Sequence, residues 1–500
     1  MVATTLAELV ANPYAKKKYL VILKPYDLSA SNEVPLYFSG EGFVTSPTDT
    51  PANTFFDPRL IEPISFSRSM FSSGKVGGLS VPGFGELILT NADGGLDDFA
   101  TYAWDGRSVE VRVGEGGADL QYYFTIFTGE AKSVEFDDLF IRVILRDNQN
   151  DFTRDFPNTL YAGTGGNEGS AELKGQVKPQ CYGEVYNVEP VLVDAANNVY
   201  QVHDGPIENI VAVYEGGHAV GSGSITKDLA NGRFTLSGSV GQVITADVKG
   251  AKPGGVYLDA AADIVQHLAD NFAGLTYPGD FDTASFTALN AANSAAVGTY
   301  DRDGVSLAQV LDRLINTVGG FYGFNRSGKF QVGRVDLASG TADAEFDSTS
   351  LIEITRLASE IPNHEVRINY KRNHRVMSES DFHSSVTDAQ RDFLVREFNV
   401  ETADDAAILT AYPNSKALIV DSLFAGSTPA SAEAARLLTI YKTQRDVYRI
   451  LVKTQPYTLN LNDVVKITFN RYNLTNGKLF RIIGIVEDAA NNEVELELWG

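Results

Sequence analysis

Six histidines, a single cysteine and 64 aspartates and glutamates carry most of the reactive chemistry in this 500-residue chain. The histidines are His203, His218, His267, His364, His374 and His383. None has the H-x3-H or H-E-x-x-H spacing that turns two imidazoles toward one zinc ion, so a zinc hydrolase is unsupported. His267 falls in a predicted helix, where a packing role is expected before a ligand role. Cys181 alone cannot form an internal disulfide, a cysteine zinc site or an iron–sulfur cluster, and it is expected to be a buried, inert thiol rather than a nucleophile. No G-x-S-x-G elbow and no P-loop occurs. The run GGNEGSAELKG has glycines but no Lys-Ser/Thr step into a helix, which makes it a poor phosphate cradle. The oxygen-rich runs NADGGLDD (Asn91, Asp93, Asp97, Asp98) and YDRDG (Asp301, Asp303) have the right atoms for Ca2+, but they lack the loop spacing and its bidentate glutamate. Turn chemistry is the expected role of both. Paired acids for glycoside cleavage need a sugar cleft, and the Tyr and Phe residues mostly occupy strand positions that a core would take. No catalytic residue, cofactor-binding residue, metal ligand or cofactor is expected. The local basic cluster Lys442, Arg445, Arg449 and Lys453 fits either a solvated strand face or a contact with an acidic partner.

The formal net charge is −23. Wrapping nucleic acid requires a basic stripe that releases counterions, so specific DNA binding is not expected. An acidic wall that lets a polyanion pass fits the charge equally well as simple solubility. No run of 18 apolar residues occurs, so no stable membrane insertion is expected. The Lys cluster at 16–18 follows a short amphipathic stretch, the reverse of a secretory signal, and cytosolic folding is the simplest expectation.

The elements that position these residues are mostly strands. Length implies three or four domains. Period-two runs broken by Gly, Asp and Pro predict a β domain over 1–150. It opens with a capping box, Thr5 and Glu8, on a helix that Pro13 ends. Residues 148–185 read as a Gly-rich connection over the surface, and 151–250 as a β-rich insert domain. A small α+β domain is predicted over 251–335. It has a helix capped by Asp259, a second helix with a Ser306/Gln309 capping box, a stop at Gly319-Gly320, and a hairpin turning at Ser327-Gly328. No element is assigned between Thr276 and Thr299. The span 336–500 is predicted as a β-barrel-like domain with helices near 387–412 and 429–441, the second capped by Thr428 with Pro429 at its first position. In its last strand Val494, Leu496 and Leu498 face a core, and Glu493, Glu495 and Glu497 face solvent or a channel. The fold class is mainly β, multidomain, with an α+β insert.

Four segments, in order, resemble the tail-tip or baseplate hub proteins of long-tailed, siphovirus-type bacteriophages and prophages. They are LILTNADGGLDDFATYAWDGRSVEVRVG, KPQCYGEVYNVEPVLVDAANNVYQVHDG, SLAQVLDRLINTVGGFYGFNRSGKFQVGRV and LNDVVKITFNRYNLTNGKLFRIIGIVEDAANNEVELELWG. The resemblance implies a structural virion protein without catalysis, made in the host cytoplasm and located at the tail tip. Two β-barrel-like domains would form a pseudo-hexameric ring in a homo-oligomer, a trimer, that matches the tail tube. The implied partners are the distal tail or tube protein, the tape-measure protein and tail-fibre proteins, with genomic DNA passing unbound during ejection. Alternatives are a peripheral receptor-binding or fibre-carrier module and a polysaccharide-active enzyme.

Overall fold

The computed structural model describes every residue except Met1, Pro13, 73–78, Ala358 and Thr454, and the side chains of Gln455 and Pro456. The expected stop at Pro13 lies outside the described residues. Alternation in the sequence becomes one large sheet. Val109, Val111 and Val113 are buried from one strand, and Val494, Leu496 and Leu498 from another. Both belong to a 13-stranded sheet that draws on the two ends of the chain. From one edge it runs Leu351–Arg356, Val447–Lys453, Glu493–Trp499, Lys478–Asp488 and Leu60–Ser69. It continues through Phe84–Thr90, Phe140–Arg146, Phe124–Phe136, Arg107–Glu115 and Lys17–Leu23 to Leu36–Ser39. Val464–Ile467 also pairs with Lys478–Asp488 and carries Ala344–Phe346 in parallel. The seam between the early and late strands is antiparallel, with Ile485 opposite Arg68 and Glu487 opposite Phe66. One apolar core, from Val21 and Leu87 to Ile450 and Leu496, lies beneath both halves.

The fold is mainly β, as expected, but the sheet is an open path: among the described residues its two end strands do not pair, so it does not close into a barrel. The outer side of Leu36–Ser39 is occupied instead by Asp57, whose backbone exchanges bonds with Tyr37 and Ser39.

The α+β region follows its caps. Helix Leu307–Thr317 has the full capping box between Ser306 and Gln309. Its stripe Leu307, Val310, Leu311, Leu314 and Ile315 is buried. Gly319, at φ 65°, ends it by entering the left-handed region that suits glycine. The hairpin of Gly320–Phe324 and Phe330–Arg334 turns through Gly328, whose N–H bonds Asn325 O at 2.9 Å. Asp259 does not cap the preceding helix, Ala261–Phe272, whose N-cap is Ala260. The backbone of 259–260 is held extended against 296–297, with Val297 N donating to Asp259 O at 2.8 Å, and this delays the helical turn. Helix Thr283–Ala292, capped by the Asp282 side chain, lies between Thr276 and Thr299, a span for which the sequence pattern predicts no element.

Three further expectations need correction. The connection after Asn148 is not a surface tether throughout, because Phe152 and Phe156 are buried in the core and Tyr161 is buried with its hydroxyl donating to Gln201. The helix expected near 387–412 is only Asp388–Leu394 and the short turn Ile408–Ala411. Between them Asn399–Asp404 alternates in burial and pairs with Glu365–Tyr370 as a strand. The last helix is Ser427–Tyr441 with Gly426 as N-cap, so Pro429 is its third residue. The first four N–H groups of a helix have no intrahelical partner, so proline there removes no bond.

Candidate functional site: a buried ionic seam beneath a polar sheet face

The side chains singled out in the sequence do not converge. Among the described residues no three His, Cys, Asp or Glu side chains form a metal-holding group. In the NADG turn Asn91 is buried, accepts from Leu96 N at 2.8 Å and donates to Asp97 at 2.8 Å. Asp93 takes both Arg59 terminal nitrogens, at 2.6 and 2.8 Å, and these hydrogen bonds hold its carboxyl below the usual range. Asp98 is exposed. These are the contacts of a structural turn. Asp301 is buried against Arg313 at 2.5 Å and Thr299 at 2.8 Å, while Asp303 is exposed. Cys181 is buried, and burial raises its thiol pKa. Its backbone N–H donates to His203 Nδ1 at 3.0 Å. Burial pushes His203 and His374 down to about 3, and His267 downward.

The acidic face and the basic cluster meet each other. Lys453 bonds Glu493 at 2.6 Å and Arg449 reaches Glu495 at 3.2 Å across adjacent strands. Lys442 faces Asp405 at 3.5 Å, and Arg445 donates to the Ile440 carbonyl at 3.0 Å. Glu497 is half-buried, and burial raises its carboxyl pKa. Two of the three carboxylates on this face, Glu493 and Glu495, thus have a cationic partner on the neighbouring strand.

A buried ionic arrangement lies under the seam. Glu487 is 2 % exposed and takes two guanidinium groups on one oxygen. Arg68, from the paired strand, lies at 2.9 Å. The other is Arg326, from the hairpin turn of the α+β region. Arg326 also donates to the Leu459 carbonyl at 2.8 and 3.0 Å. Asp147 stands at the same small cavity, accepts from Gly83 N at 2.7 Å and Gln149 N at 3.1 Å, and is pushed up to about 7 by burial. Burial lowers both guanidinium pKa values. A carboxylate shared by two buried cations has no open coordination and no substrate access. What it can do is lock three distant parts of the chain into one geometry. These residues were missed in the sequence. The available signal was Arg68 in the apolar phase of Ile64, Phe66 and Met70, and Glu487 in phase with Ile485.

The fold is mainly β, and the polar groups of this site hold strands from the two ends of the chain together. No family model and no curated protein matches the sequence. Among solved structures it is similar to the tail protein from Neisseria meningitidis MC58, at TM-score 0.45 and 10 % identity over 96 % of each chain. It is also similar to the 43 kDa tail protein of prophage MuSo2 from Shewanella oneidensis, at TM-score 0.42 and 11 % identity over 96 % of this chain and 97 % of that one. A chain of the virion of a native gene transfer agent particle gives TM-score 0.45 and 14 % identity over 65 % of this chain and 84 % of that one. At such values likeness carries no statement of function.

Proposed function

We propose that the chain is a structural component of the tail tip of a long-tailed bacteriophage or prophage. In this reading it is a central hub that joins the tail tube to the tip and fibre proteins, and it forms part of the wall through which DNA leaves. The observation that carries the reading is the ordered resemblance of four segments. The first and last of them, 87–114 and 461–500, supply strands to the same sheet. The net charge of −23 is compatible with passage of DNA without binding, as it is with simple solubility. The assembly is a homo-oligomer, a trimer, in contact with the distal tail or tube protein, the tape-measure protein and tail fibres. The outer edge of Leu351–Arg356, which bonds only Val447–Lys453 among the described strands, offers a place for a neighbouring chain to add a strand. Cryo-electron microscopy of the intact particle tests the reading: three axial copies at the tip are expected. A peripheral position would favour a fibre carrier, and a sixfold or single-copy ring would overturn the trimer. The protein is expected to leave peptidoglycan and capsule intact in a turbidity assay, and lysis lost on changing one acidic pair would make it an enzyme.

A further inference from the structure

Residues 371–396 leave the sheet formed by Glu365–Tyr370 and Asn399–Asp404 and lie along the β unit of 180–251. The root of this strap is tied by two asparagines. Asn187 Nδ2 donates to Asn373 Oδ1 and to the Arg375 carbonyl, both at 2.7 Å. Asn373 Nδ2 in turn donates to the Leu394 and Arg396 carbonyls, both at 2.9 Å. His374 N donates to Tyr186 O at 3.3 Å. The tip has its own small core of Met377, Phe382, Val386 and Leu394. The Gly216-Gly217 turn of the β unit is pressed against this core, so that a Cβ at Gly217 would stand 2.7 Å from Leu394 Cδ1. His383 N donates to Gly216 O at 2.8 Å. At this contact the rings of His218 and His383 stack, with centroids 5.1 Å apart and planes 27° apart.

Imidazole lone pairs lie in the ring plane, so two rings meeting face to face do not converge on a metal ion. The arrangement suits two uncharged rings. Imidazole is also the side chain that ordinarily gains a proton between about pH 8 and pH 5. Two protonated rings in this stack would repel. The surrounding charges are already engaged. Glu215 accepts from Gly241 N at 2.7 Å and Gln242 N at 3.2 Å, and Asp247 from Asn187 N at 2.8 Å and Tyr214 OH at 2.9 Å. On the strap, Asp381 holds Ser378 N and Oγ at 2.8 Å, Glu379 faces Arg391 at 3.3 Å, and Arg375 faces Glu189 at 3.4 Å. His374, at the root, is half-buried, and desolvation holds it near 3, so it remains neutral across this interval.

We propose that His218 and His383 form an acid-sensitive clasp: the neutral pair holds the strap tip on the Gly216-Gly217 turn, and the doubly protonated pair releases the tip while the root stays tied. The test is amide hydrogen exchange of the full chain at about pH 7.5 and about pH 5, each corrected for the intrinsic rate. Amides of 377–386 are expected to exchange about fivefold faster or more at the lower pH, and His374 N to stay protected. His218→Phe and His383→Phe keep an aromatic stack without the charge, and each is expected to abolish the acceleration. Equal protection of the wild-type tip at both pH values, or full acceleration in either Phe variant, overturns the clasp. Ring C2 hydrogen exchange gives a measurement that needs no variant. The His218 and His383 rings must gain protons over the same pH interval in which the tip amides open, and opening without that coincidence also overturns the proposal.

Discussion

Glu487 is the residue on which the largest local effect is expected. It is the buried carboxylate that Arg68 and Arg326 share. Removing one member of a buried ionic group leaves the others uncompensated and costs about 3–5 kcal/mol. Glu487→Gln, which keeps the shape and removes the charge, is therefore expected to lower stability by that amount in a denaturant titration. Asp93→Asn breaks an Arg59 pair whose carboxylate is exposed, and such solvent-screened surface pairs contribute little, so a much smaller loss is expected. Similar losses in both variants would mean that the seam is not a special site. The sequence could flag Arg68 as a charge in an apolar phase, but it could not name the partners. Glu487 lies 419 positions from Arg68 and 161 from Arg326, and no local pattern spans such separations.

At the scale of elements, legibility followed how local the cause was. The capping box at Ser306 and Gln309 involves neighbours in sequence, and it forms as expected. The start of helix Ala261–Phe272 depends on a bridge to 296–297, and the break of 387–412 on pairing with Glu365–Tyr370; both causes lie elsewhere in the chain. Strand Glu493–Trp499 was legible because its alternation is strict. It is an interior strand, with Leu496 opposite Ile450 on one side and Ile485 on the other. Leu496→Asp places an unpaired charge in that core and is expected to abolish the soluble fold. Glu495→Gln, on the opposite face, loses only a partly exposed contact with Arg449 and is expected to change stability by less than about 1 kcal/mol. Soluble yield and thermal melting compare the two. Normal melting of Leu496→Asp would remove this strand from the core. Normal melting of Glu495→Gln with failure to enter tails would make the acidic face an interface. Gly183 offers a backbone counterpart. It sits at φ 66° with a virtual Cβ 1.8 Å from Val297 O, so Gly183→Ala is expected to separate strand Gln180–Val188 from Gly298–Asp301.

For the whole molecule, the sequence made the acidic charge and β content visible, but not the union of early and late strands in one sheet, because strand order is set by long-range pairing. Long-range packing also determines which ionisable groups lose water, and that gives the protein opposing pH responses. His374 is depressed from 6.5 to about 3. The folded state binds fewer protons than the unfolded chain between these values, so this group's stabilisation is present above about 6.5 and is lost as pH falls toward 3. Asp147 is raised from 3.8 to about 7. Here the folded state binds more protons, so the contribution is full below about 3.8 and is lost as pH rises through 7. Each group changes stability by at most about 1.4 kcal/mol per pH unit within its window. Other buried groups titrate as well, so the wild-type curve alone mixes many terms. Comparing each variant with wild type at every pH isolates one group. Relative to His374→Gln, the wild type is expected to lose stability as pH drops from 6.5 toward 3. Relative to Asp147→Asn, it is expected to gain stability as pH drops from 7 toward 4. Two difference curves of the same sign, measured by urea unfolding, would contradict the burial of one group or the other, because burial disfavours charge on both an imidazole and a carboxyl and must therefore move their titrations in opposite directions.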